Sequence, residues 1–406
     1  MPAQIAASTH NHFESGTFSS PYWMAQLSSS ASAPTLTDRS FGDRLAALTA
    51  ETFISFARLH DSVSIWAADN RGMQFQLATL PYSTIADTTS DLVALLRNPS
   101  NDPDVIWHLS SQLYRALFGP IASFLDPSRR LFVHFAGDLR SIPLAVLRSP
   151  GGALLIDQFT FVNATDFPWT NVEHHFGGQV PSQLPSTTLP ANARLLIVEA
   201  PAVPSTRPYL VDQNIAAPHS CEDLSVIASA IPDNEILGQS AATRAQFDRL
   251  ARNADLIHCR ATLSGGVHGP QLHLAPPSDT DPMSDRSASS DDGVLRLIAY
   301  TRLAFSRCWL GVFDVDYASR RLTEPSDLWR AATRALHYAG VRNVVIPRWN
   351  VPAQARRDFA HVFYGNLRQG ASIEDSCRCA ALGLREQAAW RHPHYWAGYT
   401  HSITHL

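Results

Sequence analysis

The sequence predicts an α/β fold. In its second half, short apolar runs that do not alternate with polar residues take turns with segments of helical spacing, the pattern of buried strands joined by helices. The strand runs are residues 194–199 (RLLIVE), 255–259 (DLIHC), 307–316 (RCWLGVFDVD) and 343–346 (NVVI). A turn signal, Ser264-Gly265-Gly266, follows the second run, and the third ends in Asp314 and Asp316. An open α/β sheet places its chemistry outside the carboxyl ends of its strands, so these two ends are where a working pair of groups is sought.

The elements follow in chain order. Residues 1–40 are rich in Ser, Thr, Ala and His without a periodic apolar face and read as a loosely packed arm, although Phe13, Phe18, Tyr22, Trp23 and Met24 lie in it. Residues 41–167 form a first structured unit. Leu45, Leu48, Phe53, Phe56 and Leu59 recur at helical spacing, which predicts a helix over 45–59. Residues 62–67 and 73–80 alternate as strands around the turn Asp69-Asn70-Arg71-Gly72. Helices are predicted over 87–96 and 105–124, the latter interrupted by Gly119-Pro120, then a strand at 131–135 and a strand pair at 154–156 and 159–162. Residues 168–192 are rich in Pro, Ser and Thr and read as a linker to a second unit, 193–406. There, helices are predicted over 222–230, 242–251, 295–301 and 329–339, with a short strand at 235–237 and an acidic low-complexity loop at 277–292. Two amphipathic helices, 355–367 and 373–388, close the fold, the second capped by Ser372.

Bulk properties narrow the function classes. The 406 residues are 45% hydrophobic and 17% charged, as expected of a chain with a sizeable core. A formal net charge of −4 gives no reason to expect nucleic acid or an anionic membrane as partner. No apolar run approaches a membrane span, and the start lacks the order of a secretory signal, so a cytoplasmic protein is expected. The five cysteines have no zinc-type spacing and read as reduced thiols. All 32 basic residues are arginine. Codon bias is one reading; selection against lysine amines, the acceptors for conjugation and acetylation, is the other.

In this order of elements the chain resembles the CHAT domain family of caspase- and separase-like peptidases, over roughly residues 46–399. The resemblance is carried by Leu113-Tyr114, Leu117-Phe118-Gly119-Pro120, Leu131-Phe132-Val133, Gly137-Asp138-Leu139 and Ile142-Pro143-Leu144. Further markers are Leu237-Gly238, Ala254-Asp255 with His258, and Trp349-Asn350-Val351. Phe363-Tyr364, His392-Pro393 and Tyr395-Trp396-Ala397 complete the set. It implies a three-layer caspase-like sandwich, a mainly parallel central sheet with helices on both faces, preceded by a caspase-like pseudo-half.

The resemblance also implies a catalytic dyad, which this chain lacks. A cysteine peptidase needs a thiolate and an imidazole within reach of each other. The family histidine falls on Thr262, or on Leu263 with one inserted residue, and neither shuttles protons. The family cysteine falls on Asp314, while Cys308 lies at the other end of its strand, roughly 15–20 Å away. His258 matches an earlier, structural histidine of the family. The expectation is a pseudo-peptidase that binds a protein partner or peptide segment as regulator or scaffold, in a setting such as a bacterial conflict system. Its groove would involve His258, Ser264, Gly265, Asp314 and Asp316, with no cofactor and no metal. Two alternatives stand beside it: an active cysteine endopeptidase using Cys259 with His268, and a metal-dependent hydrolase at Asp314 and Asp316. Oligomeric state is not legible. The histidines His392, His394, His401 and His405 are read as a family pattern followed by an exposed tail.

Overall fold

The structure, a computed structural model, describes residues 46, 48–165, 188–190, 192–201, 222–266, 269–277, 293–300, 304–318 and 325–404. The expected arm at 1–40, most of the linker 168–192 and of the loop 277–292, and His268 and His405 lie outside these residues.

One mixed sheet runs through the described residues. Its main path is β10-β9-β8-β11-β12-β13-β5-β4-β1-β2-β3, with β6 and β7 branching from β8. The first half supplies β1 (Glu51–Leu59), β2 (Ser62–Asp69), β3 (Gly72–Leu77), β4 (Arg130–Phe135) and β5 (Phe161–Ala164). The second supplies β6 (Leu195–Glu199), β7 (Asn234–Gly238), β8 (Leu256–Gly266), β9 (Gly269–His273), β10 (Val294–Arg296), β11 (Leu310–Tyr317), β12 (Asn343–Pro347) and β13 (Tyr399–Ile403). Strands β7, β6, β8, β11 and β12 are parallel neighbours, as are β13, β5, β4 and β1. The two sets meet at the antiparallel pair β12–β13.

Helices cover both faces, the three-layer arrangement expected. On one face lie α1 (Tyr82–Leu96), α2 (Pro103–Leu117), α3 (Glu222–Ala230), α6 (Ala353–Arg368) and α7 (Ile373–Glu386), which share one apolar cluster. On the other, α4 (Arg244–Ala251) and α5 (Pro325–Tyr338) bury Phe247, Trp329 and Leu336 against Ile257, Cys259 and Phe313. Asp102 caps α2, with Pro103 at its first position, and Ser372 caps α7 by accepting from the Asp375 amide at 3.1 Å. Gly340, at φ +104°, ends α5 where a Cβ would press on the Phe305–Ser306 backbone. None of the described helices is long and apolar enough to cross a membrane.

Several expectations are corrected. Residues 51–59 form a strand, not the end of a helix: β1 sits between β2 and β4 with both faces covered. That burial fills the polar half of the alternation with apolar side chains and imitates helical spacing. At 154–156 a helical turn, Leu155–Gln158, replaces a strand, with the Asp157 carboxylate accepting from the Leu154 amide at 3.0 Å. The helix expected over 295–301 is absent from the described part, 295–300: β10 pairs with β9, then a 3-10 turn, Leu297–Ala299, follows. Ser264-Gly265-Gly266 does not end β8 as a turn but continues it into a hairpin with β9. The expected exposed tail is β13, in the middle of the sheet.

Candidate functional site

The ends of β8 and β11 do lie side by side. Their parallel register sets Asp314 beside Arg260, Asp316 beside Thr262, and Tyr317 beside Leu263. The carboxylate opposite Thr262 is therefore Asp316, two residues beyond the Asp314 expected there. Strand alternation sends His258, Arg260, Thr262 and Ser264 to the α6 face, and Cys259, Ala261 and Leu263 into the α4–α5 core.

Helix α6 completes the cluster. Arg356 places Nε 3.0 Å from Asp314 Oδ1 and Nη1 2.6 Å from Asp316 Oδ1. Arg260 Nε donates to Asp314 Oδ2 at 3.1 Å, and Nη1 lies 3.9 Å from Glu199 Oε1 on β6. Thus Glu199, Arg260, Asp314, Arg356 and Asp316 form a chain of alternating charge. Asp314 is 6% exposed and the two arginines 3% each. Burial pushes the Asp314 carboxyl up, but Arg356 and Arg260 outweigh it and hold the group below its ordinary value. Burial likewise works against charged Arg356, and Asp314 and Asp316 more than reverse it. The two acids expected along a groove are thus strand residues locked by guanidiniums.

Beside this chain, His258 Nδ1 and the Tyr364 hydroxyl of α6 are 3.0 Å apart. Burial depresses the His258 pKa to about 3, so the imidazole is neutral at physiological pH. The void between His258, Asp314, Arg356, Tyr364 and Tyr399 is only about 10 Å³, room for a single water. His258, Ser264 and Asp314, expected along a peptide groove, are instead buried, and Ser264 Oγ pairs with His273 Nε2 at 2.7 Å. Gly265 and Asp316 keep partial exposure.

Cys259 and Cys308 stand apart from this face. Cys259 and Cys308 are fully buried, and burial pushes both to about 12, far from the thiolate a nucleophile needs. Cys308 lies just before β11, where its Sγ donates to the Leu310 carbonyl at 3.4 Å. Asp314 and Asp316 already share a cation, the Arg356 guanidinium, and among the described residues no three His, Cys, Asp or Glu are grouped to hold a metal. His394 and His401 are buried instead of lying on a tail: His394 Nδ1 is 2.9 Å from the Leu96 carbonyl, and His401 Nε2 is 3.0 Å from Asn343 Oδ1.

Sequence reasoning missed Arg260, Arg356 and Tyr364. One signal was available: an arginine inside the apolar run IHCRATL requires a carboxylate on a neighbouring strand.

A mixed sheet between helical layers, with two central parallel strands ending side by side, defines the caspase-like peptidase class of fold. Within that class the chain belongs to the CHAT domain family, whose model matches residues 108–403. Among curated proteins it is similar to tetratricopeptide repeat protein 28 of Mus musculus, 26% identical over 326 residues. The human protein of the same name is 24% identical over 323 residues. In both cases the match covers 71% of this chain but only 13% of the relative. Among solved structures, Saccharomyces cerevisiae separase in its complex with securin matches with TM-score 0.54 at 8% identity, over 92% of this chain and 31% of that one. An identity that low speaks to the fold alone.

Proposed function

We propose that this chain is a catalytically inactive CHAT domain that works by holding a protein partner, as regulator or scaffold. The observation that carries this reading is the Arg260–Asp314–Arg356–Asp316 chain at the strand ends, where a thiolate and an imidazole would have to meet. Ion pairs of this kind are broken only at high cost, so the site is committed to structure. The alternative Cys259 nucleophile faces the opposite core and stays protonated at neutral pH. The separase relative is seen bound to securin, and the curated relatives are tetratricopeptide repeat proteins, which is consistent with a protein as partner. We extend the proposal to a cytoplasmic conflict or cell-death system. In that setting a chain without lysine offers no side-chain amine for conjugation.

The test is native labelling with a thiol-reactive peptide probe, read by mass spectrometry. Cys259 and Cys308 are expected to stay unmodified until denaturant is added. Fast single-site labelling of Cys259, abolished by His268→Ala, would overturn the inactive reading. A partner captured from the native host should be recovered intact after prolonged incubation; a cleaved partner would count equally against it.

A further inference from the structure

Strand β3 closes one end of the sheet. Its inner side pairs with β2, and among the described residues no hydrogen bond reaches its outer side from Met73 to Leu77. The ladder fixes which groups face outward. The Ala78 amide donates to the Val63 carbonyl at 2.8 Å, and the same register sets Ile65 against Gln76 and Ala67 against Gln74. Antiparallel pairs alternate between bonded and non-bonded, so Gln74 and Gln76 bond to β2, while Met73, Phe75 and Leu77 turn their N–H and C=O outward. This outer edge has definite ends. On one side stands the turn Asp69-Asn70-Arg71-Gly72, and on the other the Thr79 amide donates to the Ala116 carbonyl of α2 at 3.3 Å. Phe75 is its midpoint. Ile121 joins the same core as Ile65 and Ala67, so the 3-10 turn that carries it packs behind β3, on its glutamine face.

The other face of β3 is apolar. Met73, Phe75 and Leu77 lie on the side of Trp66, whose ring centre is 4.6 Å from that of Phe75, and they stay 39%, 40% and 47% exposed. Edge strands are commonly blunted by charges, proline or a bulge. Residues 72–77, GMQFQL, contain no charge and no proline, and their pairing with β2 runs without a bulge. The side chains also read nearly the same in both directions from Phe75: a glutamine on each side, then Met73 and Leu77.

We propose that β3 is the interface of a two-fold dimer, paired antiparallel with β3 of a second copy of this chain about an axis at Phe75. Each Phe75 then faces its counterpart, Met73 faces Leu77, and Gln74 faces Gln76 on the opposite face. Met73, Phe75 and Leu77 carry the outward backbone groups, and pairing about Phe75 sets these three opposite one another, N–H against C=O. Moving the axis along the strand brings the turn or the occupied Thr79 amide against the partner. Such a pair uses the same edge on both copies, so assembly closes at two chains. Its area fits a dimer of modest affinity. Pairing over Met73–Leu77, with the apolar side chains beside it, covers on the order of 1,000 Å² in all, the lower limit of a specific interface. A reversible dimer with Kd of roughly 10 µM is expected. The inference goes beyond the inactive reading and does not depend on it.

The experiment is sedimentation equilibrium of the full chain from about 1 to about 200 µM. Reducing agent is present because Cys379 is exposed. The average mass should rise from one chain to two and stop there. Phe75→Arg and Phe75→Glu each set like charges against each other on the axis, and each should weaken self-association by at least about tenfold. An equimolar mixture of the two variants should dimerise again, because opposite charges then meet; this recovery also shows that both variants are folded. Ile236→Glu, at an exposed position of β7 on another edge, should dimerise as wild type does. The proposal is overturned if wild type stays a single chain throughout or passes beyond two. It is equally overturned if Phe75→Arg dimerises as wild type does, if the mixture stays monomeric, or if Ile236→Glu abolishes the dimer. A monomeric wild type leaves the inactive reading standing, while thiol labelling of Cys259 would unseat that reading and leave this edge untouched.

Discussion

At the centre of the sheet Arg260 and Arg356 each meet carboxylates on β11, whereas along α1 the guanidiniums of Arg97 and Arg330 line an open cleft with Arg348 buried behind them. The first group is sealed from solvent and answers its own charges. The second is open on one side and sets like charges against one another. A charge removed from water must be matched by the protein itself, but a charge beside a cleft keeps its contact with water. The contrast is between arginines that the fold cannot release and arginines that it holds at its surface.

The comparison can be broken most directly by removing one arginine from each group. Arg356→Ala strands Asp314 beside a single remaining cation and should cost about 3–5 kcal/mol in urea denaturation. Arg330→Ala should cost no more than about 0.5 kcal/mol, the range of a half-exposed substitution. Equal losses would erase the distinction between the two groups.

Acidification sharpens it next. His258 and His401 are both held near 3 by burial, so between pH 6.5 and 3 the unfolded chain takes up protons that the folded chain refuses. Stability is therefore intact above pH 6.5 and falls below it, by about 2 kcal/mol per histidine at pH 5. Urea midpoints at pH 7 and pH 5 measure this; a flat profile would mean that the centre admits charge as easily as the surface does. A smaller effect than that of acid is expected at the start of α7. Ser372→Ala should remove the cap of α7 for about 1 kcal/mol, visible as a small drop in the same midpoint.

Much of this was readable in the chain. The β2–β3 hairpin announced itself through Asp69-Asn70-Arg71-Gly72, where Asp69 Oδ1 accepts from the Arg71 amide at 2.8 Å. Ser372 and the apolar face of α7 did the same for that helix. Local signals suffice where neighbours in sequence satisfy one another. They failed at β1, where cover on both faces erased the alternation that separates strand from helix. They failed again at Asp314 and Asp316, which look available to a groove or a metal until Arg356 arrives from a helix further along the chain. That Thr262 and Asp314 are neither thiol nor imidazole could be read by counting; what they pair with could not, because pairing across strands leaves no trace in local spacing.

The position of β13 has a consequence for how the chain is made. It follows every other described strand in sequence, yet it lies between β12 and β5. As the polypeptide leaves the ribosome, β5 must wait with a bare backbone rim until Tyr399–Ile403 emerges to cover it. During that interval the nascent chain is open to intrusion by any stray strand, and a chaperone that shields this rim would be its natural escort.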